Sequence, residues 1–282
     1  MNMTKYQQKF AESLEPVIGV QSLALLETSE RAALEERALQ RITRRDVERQ
    51  QNIERIVGLA ADESPEVLND TSATRDWLNQ FIEYAQDIND ETCQQVWAKL
   101  LANYIANPES VNKRSLIALH GMDVWEVKAF IEYCSFAFLL ENGWRFVFEE
   151  AITRREMWGY VQGQDYTQHF INIGLLAQEQ HTVRPRSVRS LKIRYFNKEY
   201  ELVLPEDVGT RGDGLEIGYG YRKFSPIGQQ ISKAIKARIY HGYARNLIRT
   251  LDAQRNVQFR LLETEDTYNI LPTLSGVLQP AT

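Results

Sequence analysis

The sequence predicts an α+β protein that is mainly α, an N-terminal helical bundle followed by an α+β region. Three observations carry that expectation. Cys93, Val96, Trp97, Leu100, Leu101, Tyr104 and Ile105 recur at three- and four-residue spacing, the period of a helix with one buried face. After about residue 140, short aromatic and β-branched runs separated by Asn and Gly replace that period, as strands joined by turns require. Charge shifts along the chain as well. Residues 1–180 hold 17 Lys and Arg against 28 Asp and Glu, whereas residues 181–260 hold 16 against 7.

Residues 20–60 read as one or two polar helices. Leu23, Leu26, Leu34, Leu39, Ile42, Val47, Ile53, Ile56 and Val57 supply intermittent apolar positions, with charge-dense pieces such as RRDVERQQNIER between them. The a/d repeat does not persist over three heptads, so the expectation is a helix packed on its own domain or on a second copy of the chain. Asp62–Thr74 is a polar linker containing a proline. In the following helix Trp77, Leu78, Phe81, Ile82 and Ala85 form the inward face. Asn89-Asp90 starts the next helix, because an Asx side chain accepts the free N–H groups of a first turn. Pro108 ends it, since proline disfavours the helical conformation in the residue before it. Ser110 or Asn112 caps a short third helix, and Asp123 caps a fourth through Trp125, Phe130, Ile131 and Cys134.

Trp144–Phe148 reads as extended, and Tyr166–Ile173 as a short helix ending at Gly174. Leu191–Tyr195 and Tyr200–Leu204 flank Phe196-Asn197-Lys198-Glu199, a hairpin with its turn at Asn197. Gly209–Gly220 reads as a flexible loop leading into a strand near Tyr219–Phe224. Ser225-Pro226 opens a helix, striped by Ile227, Ile231, Ile235 and Ile239, and Gly242 breaks it before Tyr243–Leu251. Val257–Leu262 reads as a last strand. The expected organisation is therefore polar helices over 1–61, a helical core over 75–140, a basic α+β region over 141–270 and a tail over 271–282.

Composition narrows the function classes. Hydrophobic content of 43% and charged content of 25% are those of a globular protein. The longest near-apolar run, Cys134–Leu140, falls far short of the roughly 20 residues a membrane span needs, and the first residues lack the layout of a secretory signal. With Cys93 and Cys134 as the two cysteines, both in apolar helical patterns, two buried thiols in a reducing cytoplasm are expected. No enzyme signal stands out. His120, His169, His181 and His241 are scattered outside metal-ligand spacing, and no nucleophile-elbow serine occurs. The segment GTRGDGLEIGYG lacks a Walker Lys-Ser/Thr pair. Asp213 and Glu216 lack the lysine of a nuclease carboxylate pair, since Gly218 stands there. No catalytic residue, metal or cofactor is expected.

The candidate binding residues are Arg184, Arg186, Arg189, Lys192, Arg194 and Lys198, six cations within fifteen residues with no acid among them. Such density suits nucleic-acid phosphates, because each neutralised phosphate releases counterions. Tyr195, Tyr200, Tyr219 and Tyr221 interleave with the cations as candidate stacking platforms. Two readings stay open: DNA or RNA on the basic half, or that half docking on the protein's own acidic residues, with homo-oligomer formation through the N-terminal helices.

The order helix, Gly174-Leu175-Leu176, hairpin, strand and FSPIGQQI over roughly residues 164–240 resembles winged helix-turn-helix modules, so the α+β region is expected to be winged-helix-like. A recognition helix with several basic residues is missing, since Gln162–Ile173 holds none. Asp76-Trp77-Leu78, Phe81, Asp87, Asp90-Glu91 and Val96-Trp97-Ala98-Lys99-Leu100-Leu101-Ala102 to Asn107-Pro108 resemble an uncharacterised bacterial domain-of-unknown-function family. The Arg49-Gln50-Gln51-Asn52-Ile53 helix belongs to the same likeness, which covers residues 40–240 and implies a fold without an activity. The segment WAKLLA alone is similar to abortive-infection alpha proteins of phage defence, which implies a defence role. Neither resemblance supplies catalytic residues.

Overall fold

In the computed structural model, which describes residues 31–63, 70–149, 157, 165–182, 190–203, 220–255 and 258–262, the chain is α+β and mainly α. It divides into two compact units. The first extends to Val127 and takes in Lys233–Ile235, and the second takes Lys128–Ser232 and resumes at Lys236.

The first unit is helical. Its long helix α1, Arg31–Ala61, is buried at Ile56 and Ala60 but exposes Leu34, Leu39, Ile42, Val47 and Val57. On α2, Arg75–Ala85, the buried residues are Trp77, Phe81 and Ala85, one turn apart as an amphipathic helix requires. The Asp90 carboxylate accepts from Thr92 N and Cys93 N at 3.0 and 3.1 Å and so starts α3, Glu91–Ala106. Trp97 is 1% exposed at the centre of this helix. It meets the edge of Phe81 at 5.4 Å, while Trp77 stacks on Tyr104 at 3.6 Å. Ile105, expected on the buried stripe, is 50% exposed, because that stripe passes through Leu101 and Tyr104 instead. Asn107 accepts from Glu109 N at 3.1 Å to open the 3₁₀ turn Pro108–Ser110. Asn112, not Ser110, caps α4, Lys113–His120, accepting from Ser115 N at 3.1 Å.

Residues of the long resemblance join α1 to the α2–α3 turn. Arg49 Nε and Nη2 donate to Asp87 Oδ1 and Oδ2 at 2.7 and 2.8 Å. Asn52 Nδ2 donates to Gln86 O and Asn89 Oδ1 at 3.0 and 2.9 Å. Gln94, 2% exposed, donates to Asn52 Oδ1 and to Ile88 O at 3.1 and 2.8 Å. Buried polar groups have to find such partners, so this segment of the chain is given over to packing.

Helix α5, Val124–Cys134, carries the division between the units; at its start Glu126 accepts from Asp123 N at 2.6 Å. The second unit is built on β1 Phe138–Leu140, β2 Arg145–Phe148, β3 His181–Thr182, β4 Ser190–Tyr195, β5 Lys198–Val203, β6 Gly220–Lys223 and β7 Gln258–Leu262. These strands form an antiparallel sheet in the order β3-β6-β2-β1-β4-β5-β7. Short helix α6, Thr167–Asn172, and α5 pack over the part of one face beside Phe224, with Phe130 against Phe170 at 5.2 Å and Phe224 at 5.7 Å. Helix α8, Tyr243–Arg255, covers the other, with Tyr243 against Tyr195 at 5.6 Å and Phe138 at 6.1 Å. Ser225 accepts from Gly228 N at 3.0 Å to cap α7, Pro226–Lys233.

Two local expectations change. The isoleucine stripe from Ile227 to Ile239 predicts one helix, yet α7 stops at Lys233. Arg238 N donates to Ser135 Oγ at 3.0 Å and Tyr240 N to Tyr195 Oη at 3.3 Å, so those amides leave the helical ladder for side-chain acceptors. The hairpin turn is the pair Phe196-Asn197, with Lys198 and Glu199 already paired in β5. Phe196, not Asn197, takes the positive φ of 52° that lets a two-residue turn match the twist of its strands. The hairpin lies between β1 and β7, while β6 pairs with β2 and β3.

Candidate nucleic-acid interface

The hairpin owes its two-faced character to strand alternation, since residues directly opposite across an antiparallel pair share a face. Ile193 stands opposite Tyr200, and both are buried. Lys192 stands opposite Glu201 and Arg194 opposite Glu199, with both cations exposed. Lys198 pairs with Tyr195 and is also exposed, but its register puts it on the other face. The structure therefore brings Lys192 and Arg194 together and sets Lys198 apart. Arg184, Arg186 and Arg189 lie outside the described residues.

Two of the tyrosines expected to stack on bases are core residues instead. Tyr195 is buried and its hydroxyl donates to Ser135 O at 2.9 Å; Tyr200 is buried as well. Both fall on the apolar side of the hairpin, which burial requires of alternate positions. Tyr221 is half-buried on β6, and Tyr219 lies outside the described residues.

The carboxylates opposite the cations belong to β5, just beyond the basic stretch, and they alternate with it across the face. Among the described residues, Lys192 and Arg194 have no carboxylate within the 4.0 Å of an ion pair. Arg145 on β2 joins this face from the N-terminal side, because it stands opposite Leu139, which in turn stands opposite Arg194. Burial pulls the Arg145 guanidinium below its ordinary value, and neighbouring Arg194 pushes it the same way. Sequence reasoning passed over Arg145 because it sits alone in the aromatic run WRFVF, far from the basic cluster.

Arg222 and Arg238 are engaged within the second unit. Arg222 Nε donates to Glu149 Oε1 at 2.9 Å while Nη2 lies 2.7 Å from Oε2. Its Nη1 donates to Ala177 O and Gln178 O, both at 2.8 Å. Arg238 lies over the Tyr240 ring at 5.3 Å. Among the described residues no group of three or more His, Cys, Asp or Glu is placed to hold a metal ion, and no helix is long and apolar enough to cross a membrane. Cys93 and Cys134 are buried free thiols.

A family model described as a protein of unknown function (DUF2806) matches residues 36–248. No curated protein and no solved structure matches the chain.

Proposed function

The chain belongs to the DUF2806 family of proteins of unknown function, and on that footing we propose that its second unit contacts nucleic acid through the β4–β5 hairpin. The observation that carries the reading is that Lys192 and Arg194 project from one exposed face without an ion pair to the glutamates opposite. Cations held in this way remain available to phosphates, whose neutralisation drives association at low salt. Arg184, Arg186 and Arg189, adjacent in sequence, are further candidate phosphate contacts. The alternating Glu199 and Glu201 favour backbone contact at a few phosphates over a broad basic groove.

A salt titration of binding to duplex and single-stranded DNA tests this. A Lys192→Ala/Arg194→Ala double variant should weaken binding to every sequence and reduce the slope of log K against log salt by about 1.4–1.8. Absence of affinity at low salt, or an unchanged slope, overturns the reading.

A second reading, a protein-interaction component, is favoured by α1. Its first half leaves Leu34, Leu39, Ile42 and Val47 exposed, apolar surface that a partner helix would cover. Sedimentation over a range of protein concentrations, comparing wild type with Leu39→Glu, tests it, and a strict monomer in both removes self-association. The defence role implied by the shorter resemblance is proposed on that likeness alone.

A further inference from the structure

Three strands of the second unit set two arginines on one face of the sheet with one leucine between them. Arg145 on β2 is opposite Leu139 on β1, and Leu139 is opposite Arg194 on β4. Two strand spacings separate the arginines, roughly 10 Å at about 4.8 Å each. Two guanidinium groups carried on long stems can converge from that separation on a single anion above Leu139. We propose that Arg145 and Arg194 form a phosphate-binding site, with the half-exposed Leu139 as its floor.

The contrast with Arg222 supports the assignment. Both Arg145 and Arg222 lie on this face of the sheet, since Val147, two residues after Arg145, is opposite Arg222. Arg222 is given a buried carboxylate and two carbonyls. Arg145 is part-buried and, among the described residues, has no carboxylate within ion-pair distance. Besides the Cys134 thiol, the side chain that acts on it electrostatically is another cation, Arg194. Holding two like charges together with one partly desolvated is unfavourable, and a bound anion offsets that cost. A phosphate group, with several oxygens around a tetrahedral centre, accepts from two guanidinium forks at once. Glu199, opposite Arg194 on its far side, repels an anion from over β5 and so favours the gap above Leu139. Leu139 itself offers no polar group to compete for the forks.

The site rests on the nucleic-acid reading only for the source of its phosphate. Calorimetric titration of the full chain with inorganic pyrophosphate and with a short oligothymidylate separates the two ideas. Arg194→Ala and Arg145→Gln should each weaken both probes about tenfold or more, Leu139→Glu should abolish binding, and Arg114→Ala in the first unit should leave it unchanged. Loss of pyrophosphate binding in these variants, with no oligonucleotide binding even by wild type, supports the site and removes the nucleic-acid reading. Oligonucleotide binding that falls in Arg194→Ala but survives undiminished in Arg145→Gln overturns the site and leaves the hairpin reading in place. Wild type binding neither probe overturns both. If Arg145→Gln fails to fold by circular dichroism, Arg194→Ala and Leu139→Glu, at exposed and half-exposed positions, decide the matter alone.

Discussion

Gly228 lies against the main chain of Leu175, so close that a Cβ built on it would stand 1.9 Å from the Leu175 carbonyl oxygen. The first turn of α7 and the segment after α6 are thus joined backbone to backbone. Ser225 N, donating to the same Leu175 oxygen at 3.0 Å, holds the pair in place.

Replacement of Gly228 by Ala should destabilise the second unit by at least the roughly 1–3 kcal/mol of an overpacked core, because the clashing atom is backbone and cannot rotate away. Gly58, inside exposed α1 with nothing within 4 Å, makes the opposite prediction. Gly58→Ala should stabilise by about 0.5–1 kcal/mol through helix propensity. Thermal unfolding of the two variants checks both signs.

The Arg222–Glu149 pair, with side chains 10% and 4% exposed, should respond to loss of one partner more than to loss of both. Arg222→Met alone should cost about 3–5 kcal/mol, since it strands a buried carboxylate. The double variant Arg222→Met/Glu149→Leu should recover a large part of that loss. Urea unfolding of the single and double variants measures the coupling; additive losses would show that the pair does not act as a unit.

Glu132 makes stability depend on pH. Burial raises its carboxyl above the ordinary value, against the opposing attraction of Arg238, and the Tyr240 hydroxyl donates to Oε1. A raised acid binds its proton more tightly in the folded chain, so its stabilising contribution is complete below the ordinary carboxylate range and is lost as pH rises through the raised value. Relative to Glu132→Gln, the wild type should therefore lose stability as pH rises above the ordinary carboxylate range, and so be less stable at about pH 7 than at about pH 4. Parallel denaturation curves at the two pH values would contradict this.

Burial pushes the Cys134 thiol up to about 12. Because the thiolate is the reactive species, Cys134 should resist disulfide reagents at neutral pH in the folded protein and react at once in denaturant. In a Cys93→Ser background, the rate of thiol release against denaturant concentration reports this, and rapid native-state reaction would overturn the packing described around α5.

Much of the helical unit was legible along the chain because helix signals are local. The Asp90 and Asn112 caps act on amides two and three residues ahead, and the period that buries Trp77, Phe81 and Trp97 is written within two or three turns. The α7 stripe ends where distant acceptors, Ser135 and Tyr195, decide the outcome, whereas Ile105 falls just outside the stripe through Leu101 and Tyr104. The hairpin's existence could be read from its turn, but the burial of Tyr195 and Tyr200 depended on which face the register assigned to the core.

By itself the sequence determined the mainly α character with its strand-bearing second half, the caps, the buried thiols and the basic stretch around β4. Only the tertiary structure decided that Glu199 and Glu201 face the hairpin cations, that Lys198 parts from Lys192 and Arg194, and that Arg145 shares a row with Arg194. The physical reason is that caps and amphipathic periods join residues a few positions apart. A strand's neighbours are chosen by packing among segments distant in the chain, and a shift of one residue in register would turn every side chain to the other face.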